Sequence, residues 1–186
     1  MTLELIIDDP RSVAGMATEI RGDPVRAQFD GIPCVRFDGR GAGLLLGCNP
    51  IRGAAAFSIE VLFRPELGGG AEQRFLHIQE EGSSNRALLE TRGGVDGRWY
   101  GDVFLKGGRE ERFLNHPELA HECEVWHTLE LRCGGGRISQ WVDGSMELEG
   151  PLSFSPLGEG SLSLGMRRDG SSPFKGAIGR IRFTAL

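Results

Sequence analysis

Strict alternation of apolar side chains marks the most regular segment of this chain. Phe57, Ile59, Val61 and Phe63 are separated by single residues of mixed polarity, and Pro65 ends the run. Successive side chains of a β-strand point to opposite faces, so this spacing predicts a strand with one buried face. Sustained helical spacing is absent, and we expect only short helical turns at residues 11–20 and 117–122.

Similar alternating runs recur along the sequence, separated by glycine-rich breaks. The 29 glycines stand singly or in short clusters, well above an average usage of about 7%, and the clusters have the size of hairpin turns. Besides the run at 57, we predict strands at residues 3–7, 25–29, 34–37, 44–46, 74–79, 86–91, 99–106, 111–114, 125–133, 137–142, 161–166 and 177–184. The pattern predicts an all-β fold in one domain covering residues 1–186.

Charge and hydropathy exclude two classes of partner. The formal net charge is -5 and the 21 basic residues are spread along the chain, so no positive face for a phosphate backbone is expected. No apolar run approaches the roughly 20 residues that span a bilayer. We therefore expect neither nucleic acid nor a membrane as partner, and nothing in the sequence indicates an oligomeric state.

The amino terminus lacks the basic start, apolar stretch and cleavage site of a secretory leader. This predicts a cytoplasmic location, or an extracellular one if a longer natural chain carries a leader. Cys34, Cys48, Cys123 and Cys133 have neither zinc-ribbon nor disulfide-scaffold spacing, which favours free thiols, although export would permit disulfides.

Five short elements follow one another in an order found in a known superfamily. They are Phe37-Asp38-Gly39, Phe57-Ser58-Ile59-Glu60, Trp126-His127, Asp143-Gly144 and Phe174-Lys175-Gly176-Ala177-Ile178. This order resembles the concanavalin A-like, laminin G-like superfamily over residues 25–186. The resemblance implies a jelly-roll β-sandwich of two antiparallel sheets. It does not decide the function, since the superfamily includes lectins, receptor modules, glycoside hydrolases and polysaccharide lyases.

The resemblance is incomplete at the position associated with calcium. Members often carry Asp-Glu after the closing isoleucine, whereas Gly179-Arg180 follows Ile178 here. Calcium binding needs roughly six to eight oxygen ligands, and several of them are usually carboxylates. We expect no cofactor and do not favour calcium. Three Asp-Gly turns at Asp38, Asp143 and Asp169 leave a rim site open as an alternative.

Polar side chains occupy alternate positions on three consecutive predicted strands, while the intervening positions are mostly apolar. These residues are His77, Gln79, Glu90, Arg92, Tyr100, Asp102 and Lys106. Alternation places them on one sheet face, opposite the core. Imidazole, carboxylate and guanidinium groups hydrogen-bond sugar hydroxyls, so this face is the predicted carbohydrate site. An ordinary solvated sheet face is the structural alternative.

Aromatic side chains offer a flat surface to sugar rings. Tyr100 and Trp141 are the candidates for this contact, whereas Trp99 alternates with Val103 and is expected to be buried. Four potential metal ligands lie between His116 and His127, but their spacing matches no zinc pattern, so no metal site is predicted.

Three functions remain open on this sequence. The first is carbohydrate recognition on the concave face of a sheet. The second is a polysaccharide lyase or glycoside hydrolase on the same face, with catalytic candidates His77, Glu90, Arg92, Tyr100 and Asp102; here Arg92 neutralises an acidic sugar while His77 or Tyr100 moves a proton. The third is a protein-interaction module, which would show a large exposed apolar patch away from the groove.

Overall fold

Two antiparallel sheets pack face to face and enclose the apolar side chains of the alternating strands. The computed structural model describes residues 2–186. The eight-stranded sheet contains, in spatial order, β15 (Ser145–Pro151), β14 (Arg137–Val142), β13 (His127–Gly134), β8 (Phe57–Pro65), β17 (Lys175–Ala185), β6 (Ile32–Asp38) and β5 (Val25–Phe29), and β1 (Thr2–Ile6) pairs with β17. The all-β class and the jelly-roll sandwich are confirmed.

The seven-stranded sheet forms the second layer. Its order is β12 (Glu110–His121), β11 (Trp99–Gly107), β10 (Arg86–Gly93), β9 (Glu72–Glu80), β16 (Gly160–Leu164), β7 (Gly43–Leu46) and β4 (Glu19–Arg21). A small hairpin joins β2 (Ser12–Val13) to β3 (Met16–Ala17), and a single 3-10 turn spans Val95–Gly97. The part of the chain described here contains no helix long and apolar enough to cross a membrane.

Both predicted helical turns are wrong. Residues 11–20 form the β2–β3 hairpin and the start of β4, and residues 117–121 are the end of β12. In β12 the register jumps from Asn115, opposite Asp102, to Ala120, opposite Tyr100. Pairing with β11 therefore resumes after a short excursion and overrides the local helical tendency. The strand Ser145–Pro151 was not predicted, because an edge strand with glycine and proline at its end has little alternation.

The core is richest in aromatic rings at one end of the sandwich. Phe63 stacks on Phe75 with centroids 4.5 Å apart, and Phe63 and Trp99 meet edge to face with centroids 5.0 Å apart. Trp99 is 2% exposed, which confirms that it is a core residue. This packing joins β8 of one sheet to β9 and β11 of the other, so it fixes the seven-stranded sheet in position.

The four cysteines are unpaired in this structure. Burial is the main cause that raises the pKa of each thiol, to about 11 for Cys133. A thiol with a raised pKa is a weak nucleophile at neutral pH. These side chains therefore act as packing groups.

Candidate functional site

The outer face of the seven-stranded sheet carries side chains in rows that run across the strands. Residues directly opposite each other in an antiparallel sheet share a face. One row is apolar: Leu88 lies opposite Phe104, which lies opposite Phe113. The next row is charged and polar: Arg74, Glu90, Asp102 and Asn115. The third contains Glu72, Arg92 and Tyr100.

These rows enclose a groove of about 260 Å³. It is lined by Arg74, Arg86, Leu88, Glu90, Arg92, Tyr100, Asp102, Phe104, Phe113, Asn115 and Arg167. Strands β10, β11 and β12 supply most of the lining. The apolar intervening residues Leu89, Val103 and Leu105 are fully buried on the opposite face, as alternation predicts.

A β-bulge places Arg74 in the groove. Leu76 lies opposite Leu89 and Arg74 lies opposite Glu90, so Phe75 is an extra residue of β9 with no partner on β10. Phe75 and Leu76 both point into the core, where both are fully buried. The bulge thereby shifts the alternation by one residue and turns Arg74 outward.

Two ion pairs form the floor of the groove. Arg74 donates from Nε to Glu90 Oε1 over 2.8 Å, and Arg92 donates from Nε to Asp102 Oδ2 over 2.7 Å. Glu72 accepts a hydrogen bond from each of the two arginines. Glu90 is 2% exposed and Asp102 is 3% exposed. Their second oxygens, Glu90 Oε2 and Asp102 Oδ1, have no hydrogen-bond partner among residues 2–186.

The surroundings of the floor shift two pKa values. Burial raises the pKa of Glu90, and the neighbouring Asp102 charge adds to that rise, against the opposing effect of Arg74. For Arg92, burial works against the charged form, but the hydrogen bond and charge of Asp102 outweigh it and raise the pKa. Arg92 is therefore a fixed cation whose charge is already matched by carboxylates.

His77 lies in a separate hollow beside the groove. This hollow is lined by His77, Gln79, Arg167, Arg168 and Asp169. His77 Nδ1 accepts the backbone N–H of Arg168 over 3.1 Å, so the ring proton is on Nε2. Burial, followed by the charge of Arg167, lowers the pKa of His77 to about 4. The imidazole is neutral at neutral pH.

The structure brings together four of the sequence-predicted site residues, namely Glu90, Arg92, Tyr100 and Asp102, at one groove. His77 and Gln79 share the sheet face but line the neighbouring hollow. The Gln79 amide is used by the β9–β10 turn, where it donates to backbone carbonyls of Ser83 and Asn85. Lys106 lies beyond the groove and pairs with Glu111 over 3.4 Å.

Trp141 does not belong to this groove, contrary to the sequence-based expectation. It lies on β14 in the other sheet, where the Arg132 guanidinium covers its ring at 3.8 Å. Tyr100 and Trp141 were both predicted to contact the ligand because each offers an aromatic surface to a sugar ring. Strand order, which alternation does not encode, separates them.

The sequence analysis missed seven groove residues: Arg74, Arg86, Leu88, Phe104, Phe113, Asn115 and Arg167. Alternation gave a usable signal for three of them, because Phe104 stands midway between Asp102 and Lys106, while Leu88 and Arg86 precede Glu90 by two and four residues. No such signal existed for Arg74, which depends on the bulge, or for Arg167, which comes from a loop.

The possible metal ligands are engaged elsewhere. His121 Nε2 lies 2.7 Å from Glu147, and His127 Nδ1 lies 2.7 Å from Asp143. Asp38 accepts the backbone N–H groups of Arg40 and Ala42. Among the residues described, no group of three or more histidine, cysteine, aspartate or glutamate side chains has a metal-binding arrangement.

The two packed sheets and their strand order define a jelly-roll β-sandwich. No protein-family model matches the sequence, and no curated protein matches it either. Solved structures do match in fold. Domain 4 of AbnA, a GH43 extracellular arabinanase from Geobacillus stearothermophilus solved with arabinotriose, has a TM-score of 0.65 at 15% identity, over 91% of this chain and 83% of that chain.

Two further solved structures are similar to this chain in fold. The binding domain of botulinum neurotoxin DC in complex with SialylT has a TM-score of 0.69 at 9% identity, over 99% of this chain and 47% of that one. Mouse laminin alpha1 domains LG4-5 have a TM-score of 0.62 at 17% identity, over 89% of this chain and 44% of that one. This chain thus spans less than half of either protein. At such identities the likeness concerns the fold.

Proposed function

We propose that this protein binds carbohydrate in the groove on the outer face of the seven-stranded sheet. One observation carries the proposal: an apolar row lies directly beside a row of fixed charges. Phe113 is 64% exposed and continues the row formed by Leu88 and Phe104. Binding sites combine an apolar surface with a few placed polar groups in this way. A sugar ring presents both an apolar C–H face and hydroxyl groups at its edge.

The floor of the groove supplies acceptors for those hydroxyls. Glu90 Oε2 and Asp102 Oδ1 have no partner among residues 2–186, and an unpaired buried carboxylate oxygen costs free energy. A hydroxyl that reaches them by a small shift of the side chains relieves that cost. The volume of about 260 Å³ is just below the roughly 300–1,000 Å³ of sites for drug-sized ligands, which suits one sugar unit of a longer glycan.

The fold comparisons support this class of ligand. Two structures with the same fold were solved with a bound glycan, arabinotriose in the arabinanase domain and SialylT in the neurotoxin binding domain. Fold alone does not determine function, so the groove of this chain carries the argument. The comparisons add a precedent for glycan binding on this sandwich.

The geometry favours binding over catalysis. Proton chemistry requires the acid and base to reach a common point, but His77 lines the adjacent hollow while Glu90 and Asp102 form the groove floor. Both carboxylates are also held by arginines. The lyase hypothesis used Arg92 to neutralise an acidic sugar, yet Asp102 and Glu72 already pair with it.

Substituting Phe113 with alanine tests the groove. A glycan array first identifies binding polysaccharides, and calorimetry then compares the wild type, Phe113→Ala and the control Met146→Ala, another exposed residue, on the other sheet. Loss of an aromatic contact should weaken binding roughly 3- to 10-fold. Equal affinity of wild type and Phe113→Ala would reject the groove. Shortened products in the same mixtures would favour the hydrolase or lyase.

A further inference from the structure

Two arginines at the groove have no acidic partner. Arg74 and Arg92 each pair with two carboxylates. Arg86 and Arg167 form no ion pair with any carboxylate of residues 2–186, and the Nε atom of each is buried without an acceptor. Both side chains are half-buried, and a buried polar atom in a protein normally has a hydrogen-bond partner. Contacts with a neutral sugar would leave the charges of Arg86 and Arg167 without a partner.

Arg86 is held in a fixed orientation. Its guanidinium stacks on the Phe104 ring at 4.3 Å, and its Nη1 donates to the Ser84 carbonyl oxygen over 2.9 Å. The stacking and the hydrogen bond already restrict the Arg86 side chain before a ligand arrives. Binding therefore costs less side-chain conformational entropy. Arg86 thus presents a preorganised positive charge at the apolar row.

Arg167 is carried over the sheet by the loop at residues 165–172. The bulge in β9 anchors this loop, because the Gly165 N–H donates to the Phe75 carbonyl over 3.1 Å and the Arg74 N–H donates to the Ser172 carbonyl over 2.9 Å. The Arg168 N–H donates to His77 Nδ1. These three hydrogen bonds, and a fourth from the Arg74 guanidinium to Ser172 Oγ, connect the loop to one strand. They place Arg167 between the groove and the hollow, where it lines both.

The two guanidinium groups repel each other. After burial, the charge of Arg167 is the next largest cause that lowers the pKa of Arg86. Glu111 and Asp169 lie near enough to attract one or other arginine, but Glu111 pairs with Lys106 and Asp169 accepts from Ser171. An anion between the arginines would remove the repulsion and supply acceptors.

We infer that Arg86 and Arg167 form an anion subsite and that the glycan bound in the groove is acidic, with its carboxylate or sulfate group lying between the two guanidinium groups. This inference rests on the proposed function. A guanidinium offers a planar fork of donors that matches the oxygens of either group. The acidic sugar's ring then lies against Phe113, the exposed member of the apolar row, because Arg86 already covers the Phe104 ring.

Matched acidic and neutral glycans test the charge requirement. The probes are oligogalacturonates against their methyl esters, sialylated against unsialylated oligosaccharides, and sulfated galactan oligosaccharides against desulfated ones. At least one acidic member should bind roughly 10- to 100-fold more tightly than its neutral counterpart, as expected for charge-assisted hydrogen bonds. The pairs also distinguish a carboxylate from a sulfate. Raised salt should weaken only the acidic binding.

Matched arginine variants test the residues. Arg86→Gln and Arg167→Gln should each lose most of the preference for the acidic glycan, whereas Arg168→Gln removes the same charge from the next, exposed residue and should keep it. Thermal melting confirms that each variant is folded. Because Arg167 is on a loop, its variant provides the test even if Arg86→Gln unfolds.

The outcomes separate the two claims. Neutral and acidic glycans that bind equally, with both weakened by Phe113→Ala, would overturn the anion subsite and leave carbohydrate binding in the groove. An acidic preference that is lost equally in Arg168→Gln would also overturn it. Glycan binding that Phe113→Ala does not affect, or no glycan binding at all, would overturn the proposed function itself.

Discussion

His77 is 2% exposed, with its Nδ1 atom bonded to the Arg168 backbone and Arg167 nearby. In the sequence it is a candidate for moving protons, since an ordinary histidine titrates near neutral pH. In the folded chain its pKa is lowered to about 4, first by burial and then by Arg167. Its neutral form therefore connects β9 to the loop that carries Arg167, and its role is structural positioning.

We predict that His77 makes the protein less stable in mild acid. The folded-state pKa is about 4 against 6.5 for an ordinary histidine, so the unfolded state takes up the proton first as the pH falls. Stability from this group is complete above 6.5 and is lost as the pH falls towards 4. The linkage amounts to about 2 kcal/mol between about pH 7.5 and about pH 5.

Denaturant unfolding at the two pH values measures this effect. His77→Gln keeps an acceptor for the Arg168 N–H but cannot titrate, so its free energy of unfolding should depend less on pH than that of the wild type. His116→Gln, at an exposed position, is the matched control and should behave like the wild type. The interpretation is wrong if His77→Gln and the wild type lose equal stability in acid.

The closing strand β17 is the element on which most of the eight-stranded sheet depends. It pairs with β8, β6 and β1. It is also linked to the other sheet, since the Lys175 backbone N–H donates to Gln73 Oε1 over 2.9 Å. Gly176 lies at φ +153 where β17 passes β8. A Cβ there would collide with the Arg64 carbonyl oxygen and lie 2.5 Å from the Phe174 ring.

Gly176→Ala should therefore be strongly destabilising. Steric overlap in a packed site costs typically about 1–3 kcal/mol, and the unfavourable φ adds about 1 kcal/mol. Gly144→Ala is the matched control: Gly144 also has a positive φ of 78, but a Cβ there meets nothing within 4 Å. Thermal or denaturant unfolding should show a clearly larger loss for Gly176→Ala. Equal losses would mean that close approach of the strands is not the reason for glycine at 176.

At the scale of the whole molecule, the aspartates of the three Asp-Gly turns stabilise the turns by accepting hydrogen bonds from nearby residues. Asp38 accepts from the backbone of Arg40 and Ala42, Asp143 accepts from His127 and from the Thr128 N–H, and Asp169 accepts from Ser171. A hard cation would have to compete with these donors for the same oxygens. The aromatic core joining the two sheets needs no ion to form.

We predict that stability does not depend on calcium. Excess chelator should leave the thermal midpoint within about 1 °C of the untreated protein, because backbone donors already occupy the carboxylates of these turns. Loss of roughly 1 kcal/mol of metal binding would instead lower the midpoint by a few degrees in a domain of this size. Added calcium should likewise have no effect. A drop of many degrees on chelation, restored by calcium, would reveal a site at the rim.

The sequence by itself determined which side of the regularly alternating strands faces the core. Alternation is a local property of the backbone, so Val103 and Leu105 were placed inside and Asp102 outside from spacing alone. The order of short elements from Phe37 to Ile178 was enough to indicate the jelly roll. Four of the groove residues, Glu90, Arg92, Tyr100 and Asp102, follow from these two signals.

Tertiary structure alone decided which outward residues share a site. Strand order put Trp141 on the other sheet, the bulge at Phe75 turned Arg74 outward, and the loop after β16 brought Arg167 to the groove. The physical reason is that periodicity describes one strand at a time. Neighbouring strands, and the burial that makes His77 neutral, are set by contacts between residues far apart in the chain, such as the 91-residue separation of His77 and Arg168.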